Sequence, residues 1–531
     1  MRAFADLLDR LSFTASRHAK LVLVRDYLRT APDPDRGWAL AALTGGMTFE
    51  AAKPAFIRKA VEARVDPALF ALSYDYVGDL AETVALIWPA SSGEGGDLPL
   101  SEVVEALRAA SRTGVQRLIE TWLDRLDATA RWALLKLMTG ALRVGVSARL
   151  AKQAAADIAG VPVSEVEEIW HALTPPYAPL FAWLEGRGPR PDATGAGRFR
   201  PVMLAQPIDE AADFPKLDPA DYVAEWKWDG IRIQAVAEGG VRRLFTRTGE
   251  DISATFPDVV ALLDAEAVID GELLVMREGR AQPFADLQQR LNRKSVDAKL
   301  MAAYPAGVRA YDLLAEGEED LRALPFMDRR MRLEALIHRL GSDRLDLSPL
   351  QPFAGWEELA TLRADPPPGE PHIAEGLMLK RRGSLYEAGR PKGPWFKWKR
   401  DPHLVDAVLM YAQRGHGKRS SYYSDFTFGV WRGQELTPVG KSYFGFTDEE
   451  LLALDRFVRE HTVERFGPVR SVRADQSFGL VLEIAFEGLQ RSTRHKSGVA
   501  MRFPRINRIR WDKPAAEADR IEQLEAMLPP V

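Results

Sequence analysis

The chain has 531 residues, 71 Lys and Arg against 75 Asp and Glu, and a net charge of −4, with hydrophobic and charged fractions of 46% and 27% that exclude wholesale disorder. Its length exceeds one hydrophobic core and predicts about two to four domains of roughly 100–200 residues each. Cysteine is absent and the eight histidines form no H-E-x-x-H pair, which excludes disulfides, Cys-ligated zinc and thiol nucleophiles and leaves carboxylates, and so a hard ion such as Mg²⁺, for metal chemistry.

The amino terminus, Met1 to His18, mixes Arg2, Asp6, Asp9 and Arg10 into its apolar residues, unlike a signal peptide. No apolar run approaches the roughly 18–20 residues of a membrane span, so a cytoplasmic protein without a membrane partner is expected. Residues 1–190 carry apolar side chains three and four apart, as in 117–126 and 130–138, with few β-branched runs; this predicts an all-α domain. Residues 191–200 lie in a Gly- and Pro-dense stretch without periodicity and read as a linker.

From 201 to 400 short alternating segments predict an α+β, mostly antiparallel domain. Strands are expected at 222–228, 231–236, 267–276, 308–314, 376–380 and 394–399, with a helix at 327–340. The first two strands are expected to form a hairpin through Asp229-Gly230. Alternation puts Tyr222, Ala224, Trp226 and Trp228 on one face and Val223, Glu225 and Lys227 on the other. Beyond the turn, Arg232 and Gln234 alternate with Ile231, Ile233 and Ala235, so a second charge can return toward the same cleft. Residues 401–531 read as strands at 405–413, 425–431, 436–444 and 480–486 around one helix, whose start carries a capping box, Thr447 with Glu450. About 130 residues of this pattern suit an OB-fold β-barrel. Charge is uneven there: Arg491 to Lys513 holds eight Lys or Arg and one acid, Asp512.

The segment Lys227-Trp-Asp-Gly230 resembles the K-x-D-G signature of covalent nucleotidyltransferases, the superfamily of DNA ligases, RNA ligases and mRNA capping enzymes. Further motifs follow in order: Thr246-Arg-Thr-Gly-Glu250, Asp270-Gly-Glu272, Arg309-Ala-Tyr-Asp-Leu-Leu314, Glu375-Gly-Leu-Met-Leu-Lys380, Trp395-Phe-Lys-Trp-Lys-Arg400, and the run from Arg502 to Lys513. Leu142-Arg-Val-Gly-Val-Ser147 resembles part of the helical DNA-binding domain of large ATP-dependent DNA ligases. In overall layout the chain resembles bacterial three-domain ATP-dependent ligases. It departs from the commonest pattern at Trp228, where tyrosine is frequent, at Thr248, where asparagine is frequent, and at Trp511 beside the final Asp-Lys.

The resemblance implies ATP as AMP donor, Mg²⁺ or Mn²⁺ as metal, and Lys227 as the nucleophile that becomes lysyl-AMP. An amine attacks phosphorus only when unprotonated, so it needs nearby cations, a metal or partial desolvation. Arg232, Arg247, Lys397 and Lys399 can supply the cationic field and neutralise the departing pyrophosphate. Glu272 and Glu375, each beside a glycine that permits close approach of backbone and ligand, are implied on the metal and ribose side. Glu225 is implied to read the adenine amino edge while Tyr311 stacks on the ring. ATP is preferred to NAD⁺, because no upstream segment resembles a nicotinamide mononucleotide module.

Arg502, Arg510, Asp512 and Lys513 are implied to reach the nucleotide by domain closure. Arg143, Gly145, Ser147, Arg414, Lys418, Arg419 and Arg505 are implied DNA contacts, with Gly145 and Ser147 at a helix start whose amides suit a phosphate and Arg414 to Arg419 read as a basic, phosphate-contacting loop. The expected partner is nicked duplex DNA, met by a monomer associated with the nucleoid, in repair alongside a helicase and nuclease. The rivals are an RNA ligase or another covalent nucleotidyltransferase, and a non-catalytic DNA-binding scaffold.

Overall fold

The computed structural model describes Met1 to Leu528 except residues 15, 48, 50–53, 78, 90–97, 141, 193–196, 292, 294–295, 368, 370–372, 415–421, 467–468 and 493–494. The chain forms two compact units: Ser164–Leu173 with Arg190–Asp401, and Met1–Val163 with Thr174–Pro189 and Pro402–Val531.

The amino-terminal region is helical, and among the described residues no strand precedes Gln206. Side-chain caps start its helices: Ser16, Asp79, Ser111, Asp127 and Ser147 each accept from the amide three residues on, which satisfies a donor the helix itself leaves open. The helix Arg2–Phe13 buries Phe4, Leu7, Leu8 and Leu11, each worth about 1.5–3 kcal/mol of transfer free energy. It packs on Ala128–Thr139, and Arg17–Thr30 packs on Ala148–Ala159. The buried Arg36 guanidinium forks onto Asp33, both bonds at 2.7 Å, and pairs with Glu185, tying the first third of the helical region to its end.

The central region contains two sheets. One is ordered Gln206–Pro207, Trp395–Lys399, Gly376–Arg381, Tyr222–Trp226, Leu350–Gln351. The other runs Val241–Thr246, Ile231–Glu238, Ala267–Arg277, Ala306–Glu316, Glu319–Asp320, with Arg280–Ala281 and Leu345–Leu347 added alongside. All pairings are antiparallel except Gln206–Pro207 with Trp395–Lys399 and Leu345–Leu347 with Ala306–Glu316. The helix Phe326–Leu340 packs on Ala306–Glu316.

The expected hairpin does not form. Tyr222–Trp226 and Ile231–Glu238 lie in different sheets, because both faces of the first strand are buried and each needs its own packing partners. Tyr222, Ala224, Trp226 and Trp228 enter one core with Leu377, Phe396 and Trp398, while Val223 enters another with Val236, Val268 and Trp395. Residues 227–230 therefore cross from one sheet to the other. A Cβ on Gly230 would lie 2.4 Å from the carbonyl oxygen of Leu273 in the second sheet. This glycine serves close backbone approach rather than turn geometry.

The carboxy-terminal region is β-rich. Its main sheet runs Glu435–Ser442, Tyr423–Arg432, His403–Arg414, Val469–Val472, Thr462–Phe466; His403–Arg414 also pairs with Val481–Phe486, which pairs in turn with Arg505–Arg510. The helix Asp448–Glu460 starts at the expected capping box, with Thr447 accepting from the Glu450 amide at 3.1 Å and Glu450 from the Thr447 amide at 2.7 Å. A second short helix, Ile521–Ala526, was not expected; it buries only Ile521 and Leu524, too few positions to set a helical period.

Candidate active site

Three adjacent strands of the first sheet build the floor of a cleft of about 520 Å³. Register places Glu225, Met378 and Lys397 in one cross-strand row and Val223, Lys380 and Trp395 in another, with Gly376 opposite Lys399 at the end where Lys227 emerges. Because strand side chains alternate, these rows share one face. Lys227 is fixed by reciprocal backbone bonds: its amide donates to the Gly376 carbonyl at 2.8 Å, and the Glu375 amide donates to the Lys227 carbonyl at 2.7 Å. Its ammonium donates to the Glu375 carboxylate, which also lies 3.6 Å from Lys399 Nζ.

The second sheet and its loops supply Arg232, Arg247, Glu272 and Tyr311. Arg232 forks onto Asp270 at 3.0 and 2.6 Å, and Tyr386 donates to the same carboxylate at 2.6 Å. Burial pulls the Arg232 pKa down, but the Asp270 charge outweighs it and holds the guanidinium well above its ordinary value. Burial pushes the Glu272 carboxyl up to about 8, against the pull of Lys227 and Arg232. For Glu375 burial also pushes upward, yet Lys227 and then Lys399 bring it below its ordinary value. Burial, followed by the positive charges of Lys399, Lys227, Arg390 and Arg247, lowers Lys397. So many cations facing one cavity favour a polyanion there, and a nucleoside triphosphate has that charge.

Glu225 sits at 1% exposure, 3.2 Å from Lys380 Nζ. Lys380 in turn lies 4.5, 4.9 and 4.7 Å from the ring centroids of Tyr311, Phe326 and Trp395. The cleft thus brings together Glu225, Lys227, Arg232, Arg247, Glu272, Tyr311, Lys397 and Lys399. Sequence reasoning missed two basic residues of it. Lys380 closes a quoted motif, but its place opposite Glu225 depends on strand register; Arg390 lies in a Gly- and Pro-rich loop that carries no periodic signal.

The glycines beside the two carboxylates do something other than expected. A Cβ on Gly271 would lie 2.7 Å from Val308 Cγ1 and 2.9 Å from the Arg309 carbonyl oxygen, and one on Gly376 would lie 2.2 Å from the Trp398 carbonyl oxygen. They admit neighbouring strands rather than a ligand. Among the described residues no three His, Asp or Glu groups cluster as a protein-only metal cage. Glu272 and Glu375, whose charges repel, fit an ion that takes one or two carboxylates and completes its shell with phosphate oxygens and water.

In the carboxy-terminal region Arg502 ends the strand Val499–Arg502, and Arg505 lies 3.9 Å from Glu487. Arg510 forks onto Asp512 at 3.0 and 2.9 Å, while Asp406 gathers Arg510 at 3.3 Å and Lys513 at 2.7 Å. The hydrogen bond from Arg510 holds Asp512 down at about 2. Arg414 was expected in a basic loop. It instead ends the strand His403–Arg414, 7% exposed, with its guanidinium 5.3 Å from the Tyr423 ring centroid. Lys418 and Arg419 lie outside the described residues.

In the helical region Arg143 and Gly145 are exposed, and Ser147 caps the helix Ala148–Ala159 by accepting from Leu150 at 3.2 Å. One amide expected to be open to phosphate is thus already bonded. Gly145 adopts φ +68°, and Lys20 Nζ donates to the neighbouring Val144 carbonyl at 2.7 Å.

Comparison with known proteins agrees with this chemistry. Residues 202–399 match the family described as ATP dependent DNA ligase domain, 419–513 the ATP dependent DNA ligase C terminal region, and 1–156 the DNA ligase N terminus. A probable DNA ligase of Koribacter versatilis is 31% identical over 99% of this chain and 96% of its own length. DNA ligase 1 of Korarchaeum cryptofilum is 30% identical over 99% and 97%. The solved structure Pmar-Lig_PreS3 shares the fold at a TM-score of 0.62 and 15% identity, over 96% of this chain and 99% of that one. No helix of the described residues is long and apolar enough to cross a membrane. The chain belongs to the ATP-dependent DNA ligases, enzymes that use ATP as AMP donor with a divalent metal to seal nicks in duplex DNA through lysyl-AMP and DNA-adenylate intermediates.

Proposed function

We propose that Lys227 is the residue that carries AMP, and the observation that supports this most is its place at the mouth of a cleft ringed by Arg232, Arg247, Lys397 and Lys399. Lys227 Nζ, once its proton has passed to solvent, attacks the α-phosphorus of ATP. The N–P bond forms, the P–O bond to pyrophosphate breaks, and the cations of the cleft offset the charge that departs. Tyr311 stacks on the adenine, and Glu225, with Oε1 engaged by Lys380, offers Oε2 to the adenine amino group. Glu272 and Glu375 would hold the divalent ion, which supplies Lewis-acid neutralisation of phosphate charge. AMP then passes to the 5′-phosphate at a nick and is displaced by the 3′-hydroxyl.

Arg502, Arg510, Asp512 and Lys513 are proposed to orient pyrophosphate in the first step. Arg143, Gly145, Ser147, Lys418, Arg419 and Arg505 are proposed to meet DNA phosphates. The domain limits proposed are 1–190, 201–400 and 401–531, the last an OB-fold barrel. The proposed setting is a cytoplasmic monomer, associated with the nucleoid through DNA, that works in repair beside a helicase and a nuclease. Incubation with α-labelled ATP and Mg²⁺ is expected to leave label on the chain through denaturing electrophoresis. Label of equal intensity on Lys227→Ala would sink the assignment.

A further inference from the structure

We infer that the central unit holds a second anion site, an arginine cleft that takes a phosphoryl group and is separate from the ATP cleft. A cavity of about 400 Å³ is lined by Glu168, Arg190, Asp192, Arg198, Arg200 and Arg322 among others, and it shares no lining residue with the ATP cleft. Four guanidiniums against two carboxylates leave the charged lining at +2. Outside the lining, Glu238 pairs with Arg200 at 2.6 Å and Asp320 with Arg322 at 2.7 Å.

Two features point to a ligand. Arg190 and Arg322 converge on the same carboxylate, Glu168, at 3.1 and 3.4 Å, so their side chains already frame a position for anionic oxygens. Arg200, 4% exposed, donates to Glu238 through Nη2, but its Nε and Nη1 are buried with no acceptor among the described residues. Nearly all buried donors have an acceptor, so such a pair calls for one. Rotation of the guanidinium toward the cleft would offer both to a phosphoryl oxygen. The Arg198 amide donates to Glu238 Oε2 at 3.3 Å, but its guanidinium forms no ion pair with a carboxylate among the described residues, and the planar fork of arginine matches phosphoryl oxygens two at a time.

The cleft is also firmly founded. The Arg200 amide donates to Gln234 Oε1 at 2.6 Å and Gln234 Nε2 donates to the Arg200 carbonyl at 2.8 Å. Gln234 and Glu238 both belong to the strand Ile231–Glu238. A site fixed to a central strand is preorganised for its ligand.

The phosphoryl group can come from a free oligophosphate or from the backbone of a DNA strand, and one set of variants separates these sources. Tripolyphosphate is titrated calorimetrically into the full chain, its Arg190→Ala and Arg198→Ala variants, and Lys397→Ala as a control for the ATP cleft. A free oligophosphate gives two binding events, one weakened at least about tenfold in each arginine variant while the KM for ATP is unchanged, the other weakened in Lys397→Ala. A backbone phosphate gives a single tripolyphosphate event. Each arginine variant then lowers the slope of log affinity against log salt for nicked duplex by about 0.9, the counterion release of one contact. Thermal unfolding verifies that the variants fold. Folded arginine variants that leave both the tripolyphosphate isotherm and the salt slope unchanged overturn the inference.

Discussion

Replacing Lys380 by methionine tests whether the base-side wall of the ATP cleft rests on a buried ion pair. Lys380 Nζ lies 3.2 Å from Glu225 Oε1, both residues are 1% exposed, and the next cation, Arg330 Nη1, is 4.0 Å from the same oxygen. Coulomb's law at an effective dielectric of about 20 gives roughly 5 kcal/mol at that separation. Breaking such a pair while leaving one charge buried costs about 3–5 kcal/mol. For a unit of roughly 200 residues this lowers Tm by about 6–20 °C. Glu225→Gln is expected to cost less, since burial already lowers the Lys380 pKa and the ammonium lies over three aromatic rings. Lys380→Met/Glu225→Gln is expected to recover most of the stability but not the affinity for ATP. Urea unfolding of the three variants, with ATP binding measured on each, gives the double-mutant cycle. A Lys380→Met protein within about 1 kcal/mol of wild type, or a double variant no more stable than Lys380→Met alone, would refute the reasoning.

Further outcomes follow from the same structure. Gly376→Ala forces a Cβ to within 2.2 Å of the Trp398 carbonyl oxygen at a backbone φ of +143°; a loss of about 2–4 kcal/mol in urea unfolding and of self-adenylylation is expected, and a fully active, stable variant would show that the strands can part there. Chelation with EDTA is expected to abolish labelling by α-labelled ATP and added Mg²⁺ to restore it. The hydrogen bond from Arg36 holds Glu185 at about 2, below its ordinary 4.5. A depressed carboxylate pKa stabilises the fold above about pH 4.5, and that contribution fades as pH falls toward 2. Glu185→Gln should therefore unfold at lower urea than wild type at pH 6, with the gap closing below pH 4.5; a gap that widens on acidification would contradict the pairing.

Much of the central region was legible in the sequence because its long strands alternate or run apolar. The segments 267–276, 308–314 and 376–380 appear as Ala267–Arg277, Ala306–Glu316 and Gly376–Arg381, the first and last one residue longer and the middle one two residues longer at each end. Strands of two to four residues, such as Leu350–Gln351 and Val469–Val472, are too short for a period to show. The false hairpin at Asp229-Gly230 has a sharper cause. Local turn chemistry says that a chain can reverse, but only packing on both faces of Tyr222–Trp226 decides which strands it pairs with.

The cleft was legible where charged residues recur beside glycines in fixed order. It was hidden where function rests on register, as for Lys380 against Glu225, or on a loop, as for Arg390. Arg414 shows the converse. Read as part of a basic run, it is a strand residue under an aromatic ring, because the paired backbone continues two residues past Ala412, the last apolar position.

The crossing between the two sheets explains why a four-residue signature should be rigid in length. Trp226 closes one strand and Ile231 opens the next in another sheet, so residues 227–230 act as a covalent ruler, spanning at most about 3.3–3.6 Å per residue. Its near end carries the nucleophile, and its far end is pressed against the strand that bears Glu272. Side chains along a ruler can change, as tryptophan at 228 illustrates, without altering the distance it sets. One added residue would shift the acceptor amine against the carboxylate wall and leave every catalytic group present but out of step.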